Sequence, residues 1–432
     1  MMARPRVAAL LFALCSVATH AIAQQGIGGR RPQSAPFRVC AGGDVTLGTD
    51  LDPAWSKHAS DSLFATWGVI AKPDSLLAPL RPLLSGADVV LLNVEGAIGE
   101  GPAPPKCGPR STSCFAFRQP PSAAAALRGV VDSGVAVVGN IANNHSHDAG
   151  DAGHDSTVGY LARAGVFVTG ADTLATPVVT SHGDTIGVLG FYTDSTTPDA
   201  RDLAAVRRHV RRAVDRYGTV IVTMHLGAEG PAAQRTRNAV ERFLGANRGN
   251  PVGFASAAIA AGATLVVGHG PHVLRAAEWR GNRLVLYSLG NLLTYGPFRL
   301  RSPADRGAVA CATIDSAGYV SSAELRPTMQ LAPGVVRPDS TQRAFVLIDS
   351  LSGLDFPATG ATVDSLGVLG RRQPAMRTKA GSVGRKRKPS RPPARQPPPL
   401  PVEARATAAL SSSSDSMRRA PRHAFTIGDT GR

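Results

Sequence analysis

Long hydrophobic runs are almost absent from this 432-residue chain. Beyond residue 18 no segment is apolar for long enough to span a bilayer, which excludes further helical membrane spans. Cysteine is scarce, five in all, and Cys40, Cys107, Cys114 and Cys311 have no spacing that suits a thiolate-bound metal. Internal repeats are lacking, which argues against solenoids and propellers. Acidic residues are missing between Leu369 and Val402, where Arg371, Arg372, Arg377, Lys379, Arg385, Lys386, Arg387, Lys388, Arg391 and Arg395 stand. Without those ten positive charges the formal net charge of +16 falls to +6, ordinary for a soluble domain. The basicity belongs to the tail, and nucleic-acid binding is not expected.

The N-terminus reads as a secretory leader. Arg4 and Arg6 give a positive start, residues 7–18 an apolar stretch, and Ala21-Ile22-Ala23 a small-x-small site before Gln24. Cys15 invites a lipoprotein reading, but Leu14 stands where a small residue is required. Cleavage before Gln24 is expected, with an uncleaved anchor as the alternative. Either one exports the chain to the periplasm, the cell surface or the medium. There Cys107 and Cys114, flanking a short Pro/Gly/Ser/Thr loop, are expected to pair. Cys40 and Cys311 lie in β-like runs and read as buried free thiols.

The leader, 1–23, is followed by a Gly/Gln-rich linker over 24–36. The body is expected over 37–369, and an Arg/Lys/Pro- and Ser-rich tail expected to be disordered over 370–432. In the body, residues 37–41, 89–92, 135–138, 186–192, 219–224 and 264–267 read as strands, with 42–44 a tight turn. Residues 75–85, 122–132, 152–164, 202–217, 233–244 and 254–261 read as helices. Arg280-Gly281-Asn282-Arg283 reads as a hairpin turn. Strands at 308–314 and 320–325 follow, then a closing element at 344–354 and 363–368. Alternating strands and helices followed by hairpins specify an α/β core with mixed sheets.

One stretch stands out: Asn143-Asn144-His145-Ser146-His147-Asp148, placed between an apolar run and a helical segment. Four other β-like runs end the same way. Asp44 follows 37–41, Asn93 and Glu95 follow 88–92, His225 follows 219–224, and His269 with His272 follow 264–267. The carboxyl edge of a sheet is where α/β proteins place their chemistry. Asp44, Glu95, Asn144, His225, His269 and His272 form a mixed oxygen and nitrogen set suited to Zn, Mn or Fe. Two divalent ions bridged by a carboxylate activate water and clamp an oxyanion. His147 and His154 read as surface or loop residues.

Gly43-Asp44, Asn93-Val94-Glu95, Ala142-Asn143-Asn144-His145, His225-Leu226-Gly227-Ala228-Glu229, Gly268-His269-Gly270-Pro271-His272-Val273 and Tyr287-Ser288-Leu289-Gly290-Asn291 occur in that order. Together they resemble the bacterial capsule-synthesis CapA family, also called the poly-γ-glutamate biosynthesis protein family, of the calcineurin-like metallophosphoesterase superfamily. The resemblance runs from about Arg38 to about Leu369. It implies a four-layer α/β/β/α metallophosphoesterase-like sandwich and divalent transition metal ions, two of them. By resemblance, Asp44 and His272 would bind the first metal, Glu95 would bridge, and Asn144, His225 and His269 would bind the second. His145 would be a general acid or orienting group with Asp148 as its partner. Asn93, Glu229 and Asn291 would support the ligands or face substrate. The superfamily's His two residues after the first Asp is Thr46 here, which leaves the first metal short of a ligand.

The resemblance implies an exported metal-dependent hydrolase acting in capsule or poly-γ-glutamate-like polymer synthesis. The alternatives are a non-catalytic component that binds metal and polymer, or a general periplasmic phosphodiesterase. The partners implied are an anionic surface polymer and membrane-bound polymer synthesis proteins. The basic tail suits a solvated segment or adhesion to membrane or cell-wall surfaces.

Overall fold

Side chains of the first strand, Phe37–Thr46, alternate between two cores: Phe37, Val39 and Ala41 join one, Cys40 another. That alternation is the period-two pattern of a strand buried on both faces. The computed structural model describes residues 32–108, 114–194, 198–298 and 300–372. The expected leader, most of the linker and nearly all of the basic tail lie outside the described residues.

Two sheets carry the architecture. The first runs Val335–Pro338, Val320–Leu331, Arg306–Ile314, Phe37–Thr46, Val89–Val94, Ala136–Asn140 and Phe167–Thr169, and Asn291–Thr294 also pairs with Phe37–Thr46. The second runs Ala277–Trp279, Leu284–Leu286, Leu265–His269, Val220–His225, Thr185–Phe191 and Thr176–Val179. The centre of each is parallel, and antiparallel strands are added at the flanks.

Val39, Val89 and Val138 of the first sheet share a core with Val188, Ile221 and Val267 of the second. The sheets therefore pack face to face. The other face of the first sheet is covered by helices Pro53–Trp67, Ser122–Arg128 and Gly150–Arg163. The other face of the second is covered by Leu203–Tyr217 and Pro251–Ala260. This is the four-layer α/β/β/α arrangement. No helix among the described residues is long and apolar enough to cross a membrane.

The structure corrects three expectations. Residues 42–44 are no turn: the strand continues to Thr46, with an irregularity in register between Ala41 and Asp44. Gly43 serves close approach, since a Cβ there would lie 2.0 Å from the Gly290 carbonyl oxygen. Residues 233–244 are not a helix. A 3₁₀ turn, Pro231–Ala233, gives way to a hairpin of Arg242–Phe243 against Ala246–Asn247. Leu244 and Gly245 both adopt positive φ there, 47° and 85°, the backbone of a two-residue hairpin turn.

Cys40 and Cys311 are not free thiols. They face each other on antiparallel strands, Cα atoms 4.0 Å apart, and form a disulfide across 271 residues of sequence. Cys107 and Cys114 form the second disulfide. Because the long-range bond closes so large a loop, Cys311→Ser is expected to cost about 2–5 kcal/mol. The check is the urea midpoint of the variant against wild type, and an unchanged midpoint would refute it.

Candidate metal centre

Strand register brings distant residues into two rows. In the first sheet, Asp44 stands opposite Asn291 on one side and Asn93 on the other, and Asn93 opposite Asn140. In the second, His225 stands opposite His269. Apart from Asn291, which opens its strand, both rows lie at the carboxyl ends of parallel strands, where backbone groups and loops are free to build a site.

Asp44, Glu95 and His225 are buried and each offers a ligand atom, all within 4.8 Å of one another. Glu95 Oε1 lies 3.7 Å from His225 Nε2 and 3.6 Å from His272 Nε2, between the two imidazoles. Asp44 lies 3.8 Å from His269 Nδ1 and 3.0 Å from His272 Nδ1. Asn93 Nδ2 donates to Asp44 Oδ1 at 2.8 Å and lies 3.2 Å from His225 Nδ1. Its Oδ1 in turn accepts from Asn140 at 2.8 Å and Asn143 at 3.3 Å. One carboxamide thus fixes a carboxylate and an imidazole together. Asn291 Oδ1 lies 3.0 Å from His272 Nδ1, and Glu229 Oε2 lies 3.8 Å from His272 Nε2. His272 is the opening of the site: its side chain is 26% exposed while those of His225 and His269 are fully buried. It adopts φ of 57°, uncommon for a residue with a Cβ and typical of functional sites.

Glu95 Oε1, Asn144 Oδ1, His225 Nε2 and both ring nitrogens of His269 are buried without a hydrogen-bond partner among the described residues. Each such atom costs about 1–3 kcal/mol unless something ligates it. A carboxylate oxygen, an amide oxygen and imidazole nitrogens form a donor set that fits a divalent transition metal.

Charge and burial oppose each other here. Burial pushes the Glu95 carboxyl up to about 8, reduced by the pull of His272 and increased by Asp44. Burial pushes His225 well below its usual range and His269 down to about 4, against the pull of Asp44. Burial works to lower His272 too, yet Glu95, Asp44 and Glu229 together raise it well above the usual value. Burial would raise Asp44, but the hydrogen bond and charge of His272, with His225 and His269, hold it well below the carboxylate range.

The Asn143–Asp148 turn supplies the other arm. His145 Nδ1 lies 2.7 Å from Asp148 Oδ2, and the Phe117 amide donates to the same oxygen at 2.6 Å. Burial lowers the pKa of His145, against the upward pull of Asp148. Its Nδ1–H is then committed to Asp148 and its Nε2 is left for chemistry. Lys106, next to the disulfide-bonded Cys107, forms an ion pair with Asp148. It also donates to the Asn144 carbonyl at 3.0 Å. The Phe117 ring lies 4.6 Å from His145, beside a cavity of about 490 Å³ lined in part by Trp55, Lys106, Phe115 and Phe117.

Sequence reasoning passed over Lys106, Asn140 and Arg248, since none sits in a motif. Thr46, which stands where a ligand His would be expected, is buried and its hydroxyl donates to the Glu95 carbonyl at 3.3 Å. It holds the strands together. His147 and His154 stack on each other at 4.5 Å and pair with Asp151 and Asp155.

A face-to-face α/β/β/α sandwich carries, at its strand ends, a buried carboxylate and imidazole cluster whose donor atoms fit a metal ion. The chain belongs to the bacterial capsule synthesis protein family PGA_cap, which matches residues 38–295. No protein of curated function matches it. Among solved structures, TT1561 of Thermus thermophilus is similar at 11% identity and a TM-score of 0.33, over 68% of this chain and 99% of that one. A 5'-nucleotidase precursor from the same organism is similar at 12% and 0.32, over 75% and 59%. GAP50, the anchor in the inner membrane complex of Plasmodium, is similar at 9% and 0.29, over 73% and 95%.

Proposed function

We propose that this chain is an exported, metal-dependent hydrolase of capsule or poly-γ-glutamate-like surface polymer synthesis. The observation that carries the reading is the set of unpaired buried ligand atoms on Glu95, Asn144, His225 and His269. Asp44, Glu95, Asn144, His225, His269 and His272 would hold two divalent ions, of Mn, Zn or Fe. Bound metal supplies Lewis-acid activation of water and neutralises charge on a phosphoryl or acyl-type centre. The protein's own part is positional. Asn93 fixes Asp44 against His225, and Asn291 and Glu229 restrain His272. His145, oriented by Asp148, accepts or returns a proton at Nε2. Two disulfides support folding in an oxidising compartment.

Thr46 favours a second reading, in which the cluster binds metal and anionic polymer as a non-catalytic component beside membrane-bound synthesis proteins. Assaying metal-loaded protein on phosphoesters and poly-γ-glutamate separates the two. The hydrolase reading expects turnover that drops roughly 10²- to 10⁴-fold in His145→Ala, with metal content unchanged. No turnover on either substrate would sink it. Unaltered polymer output in cells carrying His145→Ala would favour the binding component.

A further inference from the structure

We propose that Arg248 is a specificity-determining residue whose free guanidinium edge binds an oxyanion of the substrate, phosphate or carboxylate, beside the cluster. Placing it beside the reactive centre rests on the reading above, whereas anion binding itself needs no turnover. Arg248 is 4% exposed, and a charge so buried is stable only when paired. Its Nη1 meets Glu229 Oε1 at 2.7 Å, and Cζ lies 5.5 Å from the Tyr192 ring centre. Nε and Nη2 have no hydrogen-bond partner among the described residues. These two nitrogens form one edge of the planar fork, the edge that grips a carboxylate or phosphate with two parallel N–H···O bonds. Arg275, also buried, spends both terminal nitrogens on Glu241, at 2.9 and 2.7 Å, and on the Ala228 carbonyl, at 3.2 Å, and leaves Nε alone unpaired rather than a whole edge.

The position of that edge is informative. A Cβ on Gly270 would lie 3.3 Å from Arg248 Nη2 and 2.9 Å from His225 Nε2. The unpaired edge and the unpaired His225 nitrogen thus both lie close to Gly270, where a side chain, at φ of 101°, would crowd them. An anionic group there would meet the guanidinium while the adjoining part of the molecule meets the cluster, so neutral esters are poor substrates.

The test is calorimetric titration of inorganic phosphate, and separately of acetate, into metal-loaded full-length protein. Wild type is compared with Arg248→Lys and Arg248→Met, with metal content measured for each. Phosphate or acetate should bind wild type, and both variants should lose roughly tenfold or more in affinity, the scale of a lost charge-assisted fork, at unchanged metal content. The anion that binds wild type more tightly identifies the oxyanion. Should circular dichroism show Arg248→Met unfolded, Arg248→Lys carries the test. Equal affinity in wild type and Arg248→Lys, or no binding of either anion at millimolar concentration, would overturn the proposal. Arg248-dependent binding without phosphoester turnover would count against the hydrolytic reading alone.

Discussion

Elemental analysis of the purified protein should find about two transition-metal ions per chain, the number a carboxylate-bridged pair requires. His225→Ala should remove most of that metal. His225 is the one imidazole in the compact group with Asp44 and Glu95, and alanine there leaves two buried carboxylates without it. Asn93→Ala is the finer experiment, because Asn93 need not touch the metal at all. It holds Asp44 Oδ1 at 2.8 Å and stands 3.2 Å from His225 Nδ1. Partners that orient ligands in this way typically contribute about 10- to 100-fold in metal affinity, and that loss is expected here in a competition titration with a coloured chelator. Wild-type affinity in Asn93→Ala would mean that the ligands are held by their strands alone. One ion per chain, lost only with His225, would mean that Thr46 has left the first position too weak to fill.

Raising the pH from 6 to 8.5 should destabilise the chelator-treated protein, and Glu95→Gln should abolish most of that loss. Glu95 titrates at about 8 in the fold because of burial, against roughly 4.3 in an unfolded chain. A carboxyl raised on folding favours the fold fully below the unfolded value and loses that contribution as pH rises through the folded one. His272, also raised, acts in the same direction. His269 acts oppositely: lowered to about 4 by burial, its contribution is present above roughly 6.5 and is lost as pH falls. Above pH 6.5 only the first direction operates. The expected size is on the order of 3 kcal/mol, from roughly 1.4 kcal/mol per pKa unit, or about 5 °C in melting midpoint. Metal should reverse the trend, because its ligands bind it deprotonated. A chelated protein with the same midpoint at both pH values would show that Glu95 ionises freely.

Much of this was legible in the sequence because the candidate ligands end apolar runs. The runs at 219–224 and 264–267 correspond to the strands Val220–His225 and Leu265–His269. The basic amphipathic segment at 202–217 is helix Leu203–Tyr217, capped by Asp202. What sequence missed was fixed from far away. Residues 233–244 have helical composition, yet Glu241 accepts from the Ala228 amide at 2.8 Å and pairs with Arg275, and these contacts hold the segment as a loop. Pairing of Cys40 with Cys311 depends on strand register over 271 residues, which no local pattern encodes. Lys106 and Arg248 reach the site from segments outside helix and strand, one beside a disulfide and one held by an ion pair, so neither carries a motif. Helix Pro53–Trp67 did have a local signature in Asp52, Pro53 and Gly68.

The Phe37–Thr46 strand also ties together parts of the chain that are made at very different times. Its hydrogen-bonded neighbours are Val89–Val94 on one side and Arg306–Ile314 on the other, with Asn291–Thr294 beside its end. A chain still emerging from its N-terminus can pair only one edge of that strand. The other edge waits for some 260 further residues, and until then it is a bare template for pairing with other chains. Asp44 gains its companions from the second sheet only once the two layers have closed. The cluster of Asp44, Glu95 and the histidines is therefore complete only in the finished sandwich.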